Sequence, residues 1–176
     1  MSTAPNQTSI DRAEGSGPPR RWLSVSLLLI GLVIVASWAA ELLIVKNYAQ
    51  GSHHVLGPLW IHLTYNSGAS FSILQGSGWI PALLSSLVTA VLFVIVLRSR
   101  SWLVTIGGSM AVGGGLANLL DRLLGAHHGA VADYLWTSFW PTFNLADCSI
   151  TVGIVLVLLG LLISGSGAER GRMVYG

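Results

Sequence analysis

The sequence predicts an all-α membrane protein with four transmembrane helices and a small extracytoplasmic β element. Of its 176 residues, 52% are hydrophobic and only 9% are charged, whereas an ordinary soluble domain has about 25% charged residues. Four apolar stretches approach or exceed the length of about 20 residues that crosses a bilayer. They cover residues 22–45, 79–97, 102–120 and 145–163. A soluble fold does not fit this composition.

The first stretch is predicted to be a retained helix. Its uncharged run, residues 22–40, is longer than the core of about 7 to 15 residues in a cleavable signal peptide. Residues 1–19, rich in small and polar side chains, are predicted to form a disordered cytoplasmic tail. Residues 20–165 then form the membrane domain, and residues 166–176 a cytoplasmic C-terminal tail.

The distribution of basic residues predicts the orientation of the helices. Cytoplasmic segments of membrane proteins carry the excess of lysine and arginine. With the N-terminus inside, only Lys46 and Arg122 lie outside. The other seven basic residues then lie inside, namely Arg12, Arg20, Arg21, Arg98, Arg100, Arg170 and Arg172. Both termini are therefore expected in the cytoplasm, and no basic stripe predicts nucleic-acid binding.

The connections between the helices differ in length. Residues 98–101 form a short turn, so the second and third helices are predicted to be an antiparallel hairpin. In the long first connection, residues 59–65 alternate apolar and polar side chains after Gly57-Pro58, which predicts a β-strand. In the third helix, Gly107, Ala111 and Gly115 recur at every fourth position, which is typical of close helix packing.

Three aspartates are predicted to meet at the outer membrane boundary. The third helix rises about 28 Å between Trp102 and Asp121, at about 1.5 Å per residue. Asp147 lies in the first turn of the fourth helix, at the same level, and Asp133 lies in the connection between these helices. Acidic residues at membrane helix ends are functional candidates because their burial is costly.

Two interpretations of the acidic group remain open at this point. Two carboxyl groups that share one proton can hydrolyse a peptide bond, one activating water and the other protonating the carbonyl. Asn118 and Asn144 precede Asp121 and Asp147 by three residues, so their amides can hold these acids. Alternatively, the acids cap helices or pair with Arg122 and Lys46.

Other classes of function fit less well. A small proton or cation transporter would place its polar groups near the bilayer midplane, whereas here they cluster at one end. A metal-binding role for the loop histidines is disfavoured because their pairs are adjacent rather than at ligand spacing, and solvated side chains are expected. A purely structural membrane protein would leave the clustered acids and amides unexplained. The histidines are His53, His54, His62, His127 and His128, and the lone Cys148 is interpreted as packing.

Four motifs in order resemble the series found in bacterial lipoprotein signal peptidases (signal peptidase II). The resemblance covers about residues 22–163 and includes the number of spans. The motifs are Asn66-Ser-Gly-Ala-Ser-Phe71, Gly113-Gly-Gly-Leu-Ala-Asn118-Leu-Leu-Asp121-Arg122, Val131-Ala-Asp133-Tyr134 and Phe143-Asn144-Leu-Ala-Asp147.

This resemblance implies an intramembrane aspartyl endopeptidase of the bacterial cytoplasmic membrane, with an outer β cradle. It would cleave prolipoproteins before the diacylglyceryl-modified cysteine, without metal or other cofactor, at the outer face. The implied catalytic pair is Asp133 and Asp147, although the repeated Asn-x-x-Asp pattern alone favours Asp121 with Asp147. The implied supporting residues are Asn66, Asn118, Asp121, Arg122 and Asn144. The expected partners are the lipidated substrates and membrane lipid, and the chain is expected to act as a monomer.

The sequence departs from the family pattern in the third motif and in the first helix. Tyr134 stands where the family usually has phenylalanine. The family typically has an aspartate and a lysine four residues apart on one face of the first helix. Here Glu41 and Lys46 are five apart, so they point about 140° apart on a regular helix. Either the helix unwinds, or one of these residues lacks the family role.

Overall fold

The computed structural model describes residues 20–67, 79–125 and 129–174. Within these ranges the chain forms four helices and four strands. The first helix and hairpin are α1 (Arg20–Asn47), β1 (Ser52–Leu56) and β2 (Leu59–Asn66), followed by α2 (Trp79–Arg98) and α3 (Trp102–Leu124). The chain ends with β3 (Val131–Thr137), β4 (Trp140–Phe143) and α4 (Leu145–Val174). The predicted tail of residues 1–19 lies outside the described ranges.

Three of the helices in the described ranges are long and apolar enough to cross a membrane. They are Trp22–Asn47, Trp102–Leu124 and Leu145–Ser164. The fourth predicted span is α2, whose described apolar segment, Ala82–Arg98, is shorter. Large apolar side chains such as Leu28 and Leu162 are exposed along the helices, as expected of surfaces that face lipid. The mostly helical fold with a small sheet confirms the predicted fold class.

Helix α3 is the centre of the helical bundle and contacts α1, α2 and α4. Its small residues allow close approach on more than one side. A Cβ added to Gly107 would lie 2.6 Å from the carbonyl oxygen of Gly153 on α4, and one added to Gly115 would overlap Oγ1 of Thr89 on α2. The predicted packing role of this small-residue pattern is therefore confirmed, and α3 serves as a common support for its neighbours.

The β element is an antiparallel sheet with the order β1-β2-β3-β4. The predicted strand is β2, which pairs with β1 through a two-residue turn at Gly57 and Pro58. Gly57 has φ of 54°, a conformation that glycine adopts without steric cost. The strands β3 and β4 were not predicted, because the sequence suggested only a connection between two helices. Asp133 therefore lies in a strand inside the sheet, between β2 and β4, and not in an irregular connection between helices.

Two boundaries also differ from the sequence prediction. Helix α3 continues to Leu124, so Arg122 lies in its last turn rather than in the following connection. Helix α4 continues to Val174, beyond the predicted end at residue 163. Helix α1 is continuous from Arg20 to Asn47, which excludes unwinding between Glu41 and Lys46.

Candidate active site

Asp133 is a buried acid in the middle of β3. Its side chain is only 3% exposed, and β3 lies between β2 and β4. Thr64 of β2 is its register partner, so Asn66, two residues further along, lies on the same face of the sheet as a diagonal neighbour. Asn66 Nδ2 donates a hydrogen bond to Asp133 Oδ2 at 2.9 Å. The β2–β3 pairing thus brings together two residues that are 67 positions apart.

Asp147 is held at the start of α4 by reciprocal hydrogen bonds with Asn144. The backbone N–H of Asp147 donates to Asn144 Oδ1 at 3.0 Å, and the backbone N–H of Asn144 donates to Asp147 Oδ2 at 3.1 Å. This arrangement is a capping box, in which the N-cap residue and the third helical residue each satisfy a free N–H of the other. Capping was one of the two interpretations left open by the sequence, and these bonds show that Asn144 caps α4.

The amide of Asn144 also connects the two acids. Its Nδ2 donates to Asp133 Oδ1 at 3.0 Å and to Asn118 Oδ1 at 3.0 Å. Asn118 in turn donates from Nδ2 to Asp147 Oδ1 at 2.8 Å. Each oxygen of both carboxyl groups therefore accepts one N–H bond, three of them from side-chain amides. This chain of bonds fixes how Asp133 and Asp147 are oriented toward each other.

Asp121 occupies a different position from this pair. Its Oδ2 accepts the backbone N–H of Ala132 at 2.9 Å, and its side chain also hydrogen-bonds the side chain of Glu41. The repeated Asn-x-x-Asp pattern suggested that Asp121 would face Asp147. The structure instead brings Asp121 to the backbone of β3, one residue before Asp133.

Arg122 is a basic residue whose positive charge acts on the aspartates of the site. Its guanidinium interacts with Asp133, Asp147 and Asp121, and its Nη1 donates to the carbonyl oxygen of Asn118 at 3.1 Å. Its buried Nε has no hydrogen-bond partner among the described residues. A buried N–H without an acceptor is unusual, because it loses its hydration without compensation.

Burial dominates the electrostatics of Asp133. It raises the pKa of this carboxyl from 3.8 to about 6, and the negative charge of Asp147 adds to the increase. Hydrogen bonds from Asn66 and Asn144 and the charge of Arg122 act in the opposite direction. A carboxyl group of this kind can hold a proton near neutral pH and release it during a reaction.

Two cavities are lined by alternate residues of β3. A cavity of about 270 Å³ is lined by Asp133, Asn66 and Pro141, among others. A larger cavity of about 570 Å³ is lined by Ala132, Tyr134 and Glu41, with many apolar side chains. This division follows from the alternation of side chains along a strand. The smaller cavity reaches Asp133 itself, and the larger cavity reaches Asn118 and Asn144, which bond the acids, so both cavities border the candidate site.

Tyr134 makes a contact that the sequence did not predict. Its hydroxyl oxygen accepts the backbone N–H of Leu145, the first residue of α4, at 3.2 Å. Burial raises the pKa of Tyr134 to about 12. The only sequence signal was the replacement of the family's usual phenylalanine by tyrosine. This hydroxyl ties β3 to the helix that carries Asp147.

The described histidines make local contacts at the sheet. His53 and His54 bond to the backbone oxygens of Gln50 and Gly57, and His62 bonds to the hydroxyl of Ser52. His127 and His128 lie outside the described residues. In the part of the chain that the structure describes, no three histidine, cysteine or acidic side chains are grouped as metal ligands.

Comparison with known proteins supports the similarity suggested by the motifs. The family model for signal peptidase II matches residues 29–163. A lipoprotein signal peptidase of Mycobacterium leprae (strain Br4923) is 34% identical over 157 residues, which cover 86% of this chain and 77% of that protein. A lipoprotein signal peptidase of Halothermothrix orenii is 33% identical over 137 residues, which cover 76% of this chain and 92% of that protein.

The fold is also similar to that of a solved bacterial membrane enzyme. The TM-score is 0.70 with 25% sequence identity, over 82% of this chain and 91% of the other. The family model spans most of the chain and includes Asn66, Asp133 and Asp147. The chain therefore belongs to the signal peptidase II family.

Proposed function

We propose that this peptidase is an intramembrane aspartyl endopeptidase that removes signal peptides from prolipoproteins at the bond before the diacylglyceryl-modified cysteine. The observation that carries the proposal is the position of Asn144, which hydrogen-bonds Asp133 through its side chain and Asp147 through both its side chain and its backbone. The relatives are named lipoprotein signal peptidases, and this supports lipoproteins as the substrate class.

The chemistry requires that the two acids share one proton. Asp133, with its raised pKa of about 6, is assigned as the proton donor. Asp147 lies in the first turn of α4, where the helix dipole stabilises negative charge, and is assigned as the base. Asp147 takes a proton from water as the water oxygen attacks the scissile carbonyl carbon, while Asp133 donates its proton to the carbonyl oxygen.

The tetrahedral intermediate then collapses. The carbon–nitrogen bond breaks, Asp147 transfers its proton to the leaving amine of the lipidated cysteine, and Asp133 recovers its proton from the hydroxyl of the intermediate. No covalent bond to the enzyme forms during these steps, and both acids return to their starting protonation states.

The remaining polar residues are assigned supporting roles. Asn66, Asn118 and Asn144 orient the two carboxyl groups through the bonds described above. Arg122, whose positive charge acts on Asp133 and Asp147, is assigned to orienting the dyad or binding the substrate backbone. Asp121 is assigned a structural contribution through Ala132.

The orientation of the helices in the membrane determines which face carries the proposed active site. The basic residues favour cytoplasmic termini, and in this orientation the proposed active site would lie at the outer face of the cytoplasmic membrane. There the substrate's acyl chains can stay in lipid while its peptide bond reaches the acids. One chain supplies every proposed catalytic group, so we expect it to act as a monomer.

The test uses the purified full chain in detergent with a diacylglyceryl-modified signal-peptide substrate. Asp133→Asn and Asp147→Asn should each lower kcat by about 10²-fold to 10⁴-fold, the usual contribution of a general acid or base. Asp121→Asn should retain much more activity, because its amide oxygen can still accept the Ala132 N–H. Cleavage should continue in the presence of a chelator.

Normal turnover by both dyad variants, or loss of cleavage with the chelator, would exclude the aspartyl mechanism. A wild-type chain that leaves the lipidated substrate intact, yet carries protons or cations in proteoliposomes, would favour the transport alternative instead.

A further inference from the structure

Glu41 is an acidic residue in an apolar helix that the proposed mechanism does not use. It lies in α1 within the candidate membrane span Trp22–Asn47, and an acid at such a position is costly unless it has a partner. It faces the cavity of about 570 Å³ on the same helical face as Trp38 and Val45. Lys46 is exposed and lies outside that lining, so the two residues do not share a site.

The partner of Glu41 is another acid. Its side chain hydrogen-bonds the side chain of Asp121 on α3. Two carboxyl groups can form such a bond only if one of them carries a proton, because ionised carboxylates are acceptors only. Asp121 Oδ2 already accepts the backbone N–H of Ala132, so this carboxyl group acts as an acceptor in the bond to β3. We assign the donor role in the bond between the two carboxyl groups to Glu41.

The bonds from Glu41 lead directly to the catalytic strand. Glu41 donates to Asp121, Asp121 accepts the Ala132 N–H at 2.9 Å, and Asp133 follows Ala132 in β3. Ala132 is 2% exposed and Asp133 is 3% exposed, so the β3 end of this route is buried. Glu41 and Asp121 both line the cavity of about 570 Å³. The set of Glu41, Asp121 and the Ala132 N–H links α1, α3 and β3, and we call it the carboxyl link.

We propose that Glu41 is a positioning residue. Through the carboxyl link it holds β3 in the position that brings Asp133 next to Asp147. The inference rests on the proposed function, since it assigns Asp133 a part in the reaction. Among the described residues, the side-chain hydrogen bond of Glu41 is to Asp121 and not to Asp133 or Asp147. Its loss should therefore slow the chemical step and leave substrate binding unchanged.

Two substitutions separate the hydrogen bond from the size of the side chain. The amide of Glu41→Gln can donate to Asp121 as the protonated carboxyl does, so kcat should stay within about 3-fold of the wild type. Glu41→Leu keeps a similar volume without a donor, and kcat should fall by about 10-fold or more, the effect of losing one hydrogen bond to a charged group. KM should change by less than about 2-fold in both. Lys46→Gln, an exposed change on the same helix, is the matched control.

A second pair of measurements tests the route through Asp121. In an Asp121→Ala background the link is already broken, so adding Glu41→Leu should lower kcat by less than about 2-fold further. Hydrogen exchange at the Ala132 amide, followed by NMR on a ¹⁵N-alanine-labelled chain, should accelerate in Glu41→Leu and stay slow in Glu41→Gln.

These outcomes decide the proposal even if the lipoprotein assay fails. A wild-type chain without peptidase activity contradicts the proposed function alone, and the exchange of the Ala132 amide still tests the carboxyl link. Equal losses of kcat in Glu41→Gln and Glu41→Leu would overturn the positioning role, because the amide donor must rescue it. Unchanged exchange in a folded Glu41→Leu chain would overturn it as well.

Discussion

Asn144 and Asp147 cap each other, with the Asp147 N–H bonded to Asn144 Oδ1 at 3.0 Å and the Asn144 N–H bonded to Asp147 Oδ2 at 3.1 Å. The same asparagine donates to Asp133 from Nδ2. One residue thus starts α4 and sets the relative positions of both proposed catalytic acids. These two roles can be separated by substitution.

Asn144→Ser should retain the helix cap and lose the bridge between the acids. A serine hydroxyl caps helices about as well as an asparagine, but its short side chain cannot replace Nδ2 as the donor to Asp133. We expect near wild-type thermal stability and a kcat lowered by about 10-fold or more. Asn144→Ala should lose the same activity and also about 1 kcal/mol of stability. Full activity in the serine variant would show that the bridge to Asp133 is dispensable.

The pH profile of cleavage should report the proton on Asp133. Its raised pKa of about 6 means that the protonated form is present at lower pH and is lost as the pH rises through this value. We therefore expect kcat/KM to decrease on the alkaline side, with an apparent pKa near 6.

Removing one amide donor should move this alkaline limb. The hydrogen bond from Asn66 lowers the pKa of Asp133, so Asn66→Ala should raise that pKa and shift the limb to higher pH. The exposed Gln50→Ala should leave the profile unchanged. A shift of the limb to lower pH in Asn66→Ala would contradict the assignment of the proton to Asp133.

Gly114→Ala should disturb the start of α4. An added Cβ would overlap the carbonyl oxygen of Ala146 and lie 2.9 Å from Cγ1 of Ile150. Overpacking of this kind costs about 1 to 3 kcal/mol, and it would displace the residue next to Asp147. We expect lower thermal stability in detergent together with lower kcat. Gly31→Ala, with nothing within 4 Å of the added Cβ, is the matched control and should change neither quantity appreciably.

Tyr134→Phe should affect stability more than catalysis. The substitution removes the acceptor of the Leu145 N–H, and one lost hydrogen bond is worth about 1 kcal/mol. The ring remains to fill the same space, and the family's usual residue at this position is phenylalanine. We expect a lower unfolding temperature and kcat within a few-fold of the wild type. A loss of activity as large as that of Asp133→Asn would instead assign the hydroxyl to the reaction.

Much of the helical framework could be predicted because its signals are local. The length of each apolar stretch predicted α1 to α4, and alternating side chains predicted β2. The strand β3 was missed because Val131, Ala132 and Tyr134 are all buried around Asp133. A strand covered on both faces shows no alternation between apolar and polar residues.

The composition of the site was easier to predict than its internal connections. The motifs predicted which five supporting residues and which two acids belong to the candidate site. The Asn-x-x-Asp repeat nevertheless suggested the wrong neighbour for Asp147, because the position of Asp133 depends on the pairing of β3 with β2. The bond between Glu41 and Asp121 depends on how α1 is rotated against α3. Both are long-range features that spacing along the chain does not encode.

The amide frame around the two acids has a consequence for control of the reaction by pH. Asn66, Asn118 and Asn144 contact the carboxyl groups through side chains that carry no charge and do not titrate in water. Protons can therefore enter and leave the dyad while its immediate supports keep the same charge. A frame of lysines or histidines would change its own charge over part of the pH range. Asn66 and Asn144 also lower the pKa of Asp133, so a substitution at either residue changes both the orientation of this acid and its protonation.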